Sequence, residues 1–219
     1  MNKIVVLGGS FNPPTKAHKV IMETAKNFIN ADKGIYLPSD ISYLERSRKD
    51  KKPEEILTNE QRTLLLKKMF NGSSDYIVKE IEYFADNKLK ARGMTLISLR
   101  EIKKLYPDTE IYWITGSDKL EIMSRWKTSN DLFSEFKFII FEREGDNVEN
   151  IIKNNEFLRY FSEKFTIIKL SKDIETISST KVRQAIRSHN ITEMKKHLDE
   201  SIISDYINFI EENKKGKMQ

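Results

Sequence analysis

The sequence predicts an α/β fold, a doubly wound (Rossmann-like) parallel sheet with helices on both faces and a small C-terminal helical region. Two observations predict it. Short, continuously apolar runs such as residues 3–7 and 137–141 suit strands covered on both faces. These runs alternate with stretches of helical apolar spacing, and the order strand, helix, strand, helix recurs along the chain. The 219 residues, 38% hydrophobic with 12 Phe and 8 Tyr, are enough for one substantial core. Residues 1–219 are therefore read as a single domain, with about 178–219 its helical part.

Taken in order, residues 3–7 form the first strand and residues 8–14 the loop after it. A helix over 16–27 places Ala17, Val20, Ile21, Ala25 and Phe28 at helical spacing. Residues 34–38 form a second strand stopped by Pro38. Residues 40–56 are polar and charged and read as a mobile loop, whose basic part, 46–52, either closes over phosphates or is solvated. A helix over 59–70 carries Leu64, Leu65, Met69 and Phe70, and a strand covers 76–81. A helix over 95–106 ends before Pro107, and a strand over 110–115 runs into Gly116-Ser117-Asp118. Strands at 137–141 and 165–170 complete the sheet, and the pattern becomes helical from Ser178, ending on Ile202, Ile203, Tyr206, Ile207 and Ile210. Ligands of open α/β sheets bind beyond the carboxyl ends of the strands, so segments 8–18, 37–40, 116–118, 142–145 and 171–183 are expected to converge on one cleft.

Composition narrows the function classes. Cysteine is absent, which excludes disulfides, thiolate metal sites and cysteine nucleophiles. No apolar run approaches the roughly 20 residues that span a bilayer, and the N-terminus lacks the apolar core of a signal peptide. A cytoplasmic enzyme without membrane contact is the expectation. The net charge of +5 comes from lysines and arginines interspersed with acids, which describes a solvated surface better than a nucleic-acid stripe.

Two segments carry chemistry. In 8–18, GGSFNPPTKAH, paired glycines after a strand permit close backbone approach to a ligand, and the start of the next helix can hold phosphate. The pattern is neither G-x-G-x-x-G nor the P-loop. His18, in the first helical turn, can donate to a phosphate oxygen. In 177–186, ISSTKVRQAI, Ser178 and Ser179 suit a helix N-cap, and Thr180 and Arg183 share one face of the first turn. Hydroxyls, helix N–H groups and an arginine together suit a triphosphate.

The first segment resembles the nucleotidyltransferase signature of a glycine-rich loop, Phe, Asn/Asp-Pro and His/Thr-x-x-His. The second resembles the same superfamily's Ile-Ser-x-Thr-x-x-Arg. A third, ITGSDKLEIMSRW at 114–126, resembles the Gly-Ala-Asp…Trp segment of nicotinate/nicotinamide mononucleotide adenylyltransferases. Thr15 stands in place of the commoner first histidine, and Ala17 in place of a frequent glycine. The resemblance covers residues 3 to about 210.

It implies transfer of AMP from ATP to nicotinate or nicotinamide mononucleotide, with release of pyrophosphate and formation of NAD or its deamido form. His18, Thr15 and Arg183 would be catalytic. Gly8, Gly9, Ser10, Phe11, Gly116, Asp118, Ser178, Ser179 and Thr180 would join His18 and Arg183 in binding ATP. Thr95, Arg125 and Trp126 would hold the pyridine mononucleotide, and Arg143, in the FEREG stretch at 141–145 that resembles the family's Val-x-Arg-x-Gly, is a further candidate site residue. Mg²⁺ would arrive with ATP, bridging phosphate oxygens and needing no protein carboxylate cage. The rivals are another acceptor within the superfamily, as in pantetheine-phosphate adenylyltransferases or cytidylyltransferases, and a non-catalytic nucleotide or nucleic-acid binder. The sequence leaves the oligomeric state open, a homo-oligomer included.

Overall fold

The apolar run at the N-terminus is a central strand because it is covered on both sides. Ile4, Val5, Val6 and Leu7 are all buried, and each such side chain contributes about 1.5–3 kcal/mol over exposure. The computed structural model describes residues 2–46, 51–84 and 94–216. Its six strands are β1 Asn2–Gly9, β2 Lys33–Pro38, β3 Tyr76–Val78, β4 Thr109–Gly116, β5 Lys137–Glu142 and β6 Phe165–Lys169. They form one sheet in the order β3-β2-β1-β4-β5-β6, every pairing parallel. Val6 of β1 sits opposite Ile35 of β2 and Trp113 of β4.

The helices are α1 Lys16–Phe28, α2 Ile41–Arg46, α3 Asn59–Met69, α4 Met94–Leu105, α5 Ser117–Ser124, α6 Ser129–Glu135, α7 Val148–Lys153, α8 Glu156–Tyr160, α9 Lys172–Glu175, α10 Ser179–Arg187, α11 Ile191–His197 and α12 Ile203–Gly216. Strand alternation splits the core into two layers. Ile4, Val6, Ile35, Trp113, Phe138 and Ile140 pack with α4, α5 and α6 on one face. Val5, Leu7, Tyr36, Tyr112, Ile139 and Phe141 pack with Met22 and Ala25 of α1 on the other. A third cluster joins Leu65 and Met69 of α3 to Val182, Met194, Ile202, Tyr206 and Ile210, so the C-terminal helices rest on α3. Among the described residues no helix is long and apolar enough to cross a membrane.

Several elements differ from the expectation. The charged segment 40–56 is not an irregular loop where it is described: it holds α2 and a 3₁₀ turn at Pro53–Glu55. Leu44, Ile56 and Leu57 anchor it in the interior, apolar points too sparse for periodicity to register. Residues 47–50, which include Arg48 and Lys49 of the basic stretch, lie outside the described residues. The third strand stops at Val78, and a 3₁₀ turn at Ile81–Phe84 follows. In α3, Leu65 and Met69 are buried as expected, Leu66 and Arg62 turn inward as well, and Leu64 is exposed.

Candidate active site

The strand order reverses direction across β1 and β4, and a cleft of about 1120 Å³ opens there at the carboxyl ends of the strands. Its wall includes Gly8, Gly9, Ser10 and His18 after β1, Ser39 and Asp40 after β2, and Gly116 and Asp118 after β4. Thr95 of α4, Trp126 between α5 and α6, and Arg143 after β5 complete the expected residues found along it. Tyr43, Arg46, Lys119 and Lys127 also line it.

The glycines are dictated by neighbours. A Cβ on Gly8 would lie 2.1 Å from Cη2 of Trp113, and one on Gly116 would lie 2.5 Å from Oδ1 of Asp118. Gly8 thus lets β1 run over the indole of β4, and Gly116 leaves room for the carboxylate at the start of α5. Asp118 pairs with Lys119 at 3.1 Å and with Arg143 at 3.7 Å. Ser117, buried behind it, accepts from the Arg143 N–H at 3.2 Å, tying the end of β4 to the segment after β5.

His18 is held in one protonation state by its own helix start. The Thr15 main-chain N–H donates to His18 Nδ1 at 2.9 Å, and the Thr15 hydroxyl lies 2.8 Å from the same nitrogen. A main-chain N–H only donates, so Nδ1 is an acceptor and the proton resides on Nε2. Burial acts in the same direction, lowering the ring pKa to about 4. The ring of Phe11 meets the imidazole edge-on with centroids 5.0 Å apart, and the Tyr36 hydroxyl donates to the His18 carbonyl at 3.1 Å. What faces the cleft is a neutral N–H donor on a fixed ring, placed at a helix N-terminus where anions are favoured.

Some expected ligands stand elsewhere. Thr15 is fully buried, with its hydroxyl against His18 Nδ1. Phe11 is buried behind His18, with a left-handed backbone (φ 46°) that turns the loop. Arg183 is also buried; its Nη1 donates to the Asn12 carbonyl at 2.7 Å and its Nη2 to Thr180 Oγ1 at 2.9 Å. Ser179 Oγ donates to the Pro13 carbonyl at 2.8 Å, and Ser178 caps α10 by accepting from Lys181 N–H at 3.2 Å. Ser179 and Arg183 therefore hold the glycine-rich loop by its carbonyls, Ser178 caps its own helix, Thr180 accepts from Arg183, and none of the four is among the residues lining the cleft. The physical reason is that the loop's carbonyls, turned inward, need donors, and the start of α10 supplies them. Arg125 is exposed and off the cleft wall, closing α5 while its neighbour Trp126 faces the cavity. Arg92 and Gly93, which precede Thr95, lie outside the described residues.

Sequence reasoning missed Asn12 and Arg62. Asn12, 2% exposed, donates Nδ2 to the Glu55 carbonyl and accepts the Leu57 N–H, both at 2.9 Å. Arg62 joins the loops after β1 and β2. A buried arginine in a helix of mixed charge has no local signature; its acceptors lie 52 and 23 residues away.

The sequence and the fold match known proteins. Residues 6–185 match the cytidylyltransferase-like family, which makes the chain a nucleotidyltransferase, an enzyme that works on nucleotide substrates. More narrowly, it belongs to the nicotinate-nucleotide adenylyltransferases. It is 30% identical over 192 residues to the protein named “Probable nicotinate-nucleotide adenylyltransferase” of Clostridium novyi, covering 86% of this chain and 88% of that one. The protein of the same name from Fusobacterium nucleatum is 30% identical over 187 residues, covering 85% and 88%. In fold, the chain is similar to Plasmodium falciparum nicotinic acid mononucleotide adenylyltransferase complexed with NaAD, at 23% identity and a TM-score of 0.68, over 97% of this chain and 96% of that one. The same Plasmodium enzyme complexed with APC aligns at 21% identity and a TM-score of 0.70, over 100% and 99%.

Proposed function

We propose that this chain transfers the adenylyl group of ATP to the 5′-phosphate of nicotinate mononucleotide, in NAD biosynthesis. The observation that carries the reading is His18, locked with its proton on Nε2 and placed beside the glycine-rich loop in the cleft.

An acceptor phosphate oxygen attacks the α-phosphorus of ATP. The new P–O bond forms as the bond from the α-phosphorus to the bridging oxygen breaks, and pyrophosphate leaves with the electron pair. A phosphate monoester is mostly dianionic near neutrality, so no general base is required. Catalysis reduces to alignment and to stabilisation of charge on non-bridging oxygens. The His18 Nε2–H supplies a preorganised donor whose neutrality persists across the physiological range. Lys119, Lys127, Arg46 and Arg143 place positive charge along the cleft. Mg²⁺ would enter as MgATP, part of the substrate. Asp118 accepts ribose hydroxyls of the adenosine half, and Trp126, 37% exposed, offers its ring to the pyridine. Arg183 and Ser179 act from behind, by holding the loop.

Pyrophosphate release from MgATP is measured with nicotinate mononucleotide, nicotinamide mononucleotide, phosphopantetheine and glycerol 3-phosphate, with CTP as the alternative donor. The expected result is turnover with ATP and nicotinate mononucleotide, and less with the amide. Turnover confined to another acceptor or to CTP would overturn the assignment of Trp126 and of the substrate.

A further inference from the structure

The loop that carries His18 and the loop after β2 meet on one buried guanidinium. Arg62, one turn into α3, is fully buried. Its Nη1 donates to the Ser10 carbonyl at 2.9 Å and to the Ser39 carbonyl at 2.6 Å, and its Nη2 to Asn59 Oδ1. Asn59 Nδ2 in turn donates to Asp40 Oδ2 at 3.2 Å. Ser10, Ser39 and Asp40 all line the cleft, which Arg62 does not reach.

Peptide geometry gives this contact a consequence. Across a planar trans peptide, a carbonyl turned one way sends the following N–H the other way. Arg62 draws the Ser10 carbonyl inward, which turns the Phe11 N–H away from the buried side. The Gly9 carbonyl accepts from Ser39 N–H at 2.9 Å, which extends the β1–β2 ladder and turns the Ser10 N–H away from β2. Successive N–H groups turned outward beside a left-handed residue make an anion-binding concavity, whereas carbonyls there would repel phosphate.

We propose that Arg62 is a positioning residue for adenylyl transfer: it holds the two loop carbonyls away from the phosphates and fixes the spacing between the His18 loop and the Ser39–Asp40 wall. The inference rests on the adenylyl-transfer reading of the cleft. Lysine keeps the charge but presents a compact ammonium without the planar fork that reaches three acceptors.

The test is steady-state kinetics and thermal unfolding of Arg62→Met and Arg62→Lys. Leu158→Ala, a core substitution in α8 away from the cleft, serves as the stability control. The expected result is a fall in kcat of about 100-fold for Arg62→Met, from misplacement of the reacting groups, with smaller changes in KM. Arg62→Lys should recover part of that loss, and Leu158→Ala should lose thermal stability while keeping kcat per folded molecule. If Arg62→Met does not fold, Arg62→Lys carries the test, with a kcat at least about tenfold below wild type expected. A kcat within threefold of wild type in a folded Arg62 variant, or a loss matching its unfolded fraction, would overturn the inference. Wild-type protein inert towards every acceptor would instead overturn the reading of the cleft itself.

Discussion

Lowering the pH from 8 to 5 should leave His18 uncharged, although an ordinary histidine would titrate fully over that range. With a ring pKa of about 4, roughly 9% of His18 is protonated at pH 5; at the reference value of 6.5 it would be roughly 97%. The geometry supports the same conclusion independently, since a proton on Nδ1 would confront the Thr15 N–H at 2.9 Å. A histidine whose folded pKa lies below its unfolded value takes up protons more readily when unfolded. Its contribution is therefore complete above pH 6.5 and is lost as pH falls towards 4. Relative to pH 8, this one group should cost at most about 2 kcal/mol at pH 5; the ring edge facing the cleft reduces that figure. The assay is nitrogen-15 NMR of the imidazole. It should report a proton on Nε2 at pH 7 and a midpoint near 4. Turnover is the wrong probe here, because the acceptor phosphate itself titrates at about 6. Substitution gives a second readout. Glutamine places an amide N–H near Nε2, whereas asparagine mimics Nδ1, so His18→Gln should retain more turnover than His18→Asn. A midpoint near 6.5, a proton on Nδ1, or the reverse order of the two variants would refute the reasoning.

Three further perturbations follow from the same contacts. Thr15→Val keeps the main-chain donor and removes the hydroxyl 2.8 Å from His18; turnover should fall about tenfold, with about 1 kcal/mol lost in denaturant unfolding. Wild-type turnover would show that the hydroxyl does not orient the ring. Gly8→Ala forces a Cβ to within 2.1 Å of Trp113, so calorimetry should register about 1–3 kcal/mol of destabilisation, and KM for ATP should rise as the indole is displaced into the cleft. Unchanged stability and KM would mean that the Trp113 ring yields freely. Asn12→Ala strands the Glu55 carbonyl and the Leu57 N–H, both bonded at 2.9 Å; about 2–4 kcal/mol should be lost, or roughly 4–16 °C in Tm. A smaller shift would indicate that water replaces the amide.

The sheet was legible because its strands are continuous apolar runs, the one pattern that needs no tertiary knowledge. Of the two end motifs, the first does present His18 to the cleft. The second was legible as a capped helix start, but its direction was not. Whether Arg183 points to a ligand or to the Asn12 carbonyl depends on a neighbour 171 residues away. The contact between the Thr15 hydroxyl and His18 was not legible, because a hydroxyl three residues before a histidine can face phosphate or imidazole equally well by composition. The short helices α5 and α6 escaped notice because eight and seven residues, with two buried apolar positions each, carry too few periods to be seen. Arg62 had no signal at all, since its burial is set by main-chain carbonyls of other segments.

The brace between α10 and the glycine-rich loop has a bearing on synthesis. The loop is among the first parts of the chain to leave the ribosome, yet two of its donors, Ser179 and Arg183, are 166 and 171 residues behind it. At about 5–20 residues per second, roughly 10–30 s separates the loop from its supports. Throughout that interval the inward-turned carbonyls of Asn12 and Pro13 lack these partners. A nascent chain can thus pair its first strands without yet possessing a finished phosphate loop, and catalytic competence arrives only when the C-terminal helices close over the oldest segment.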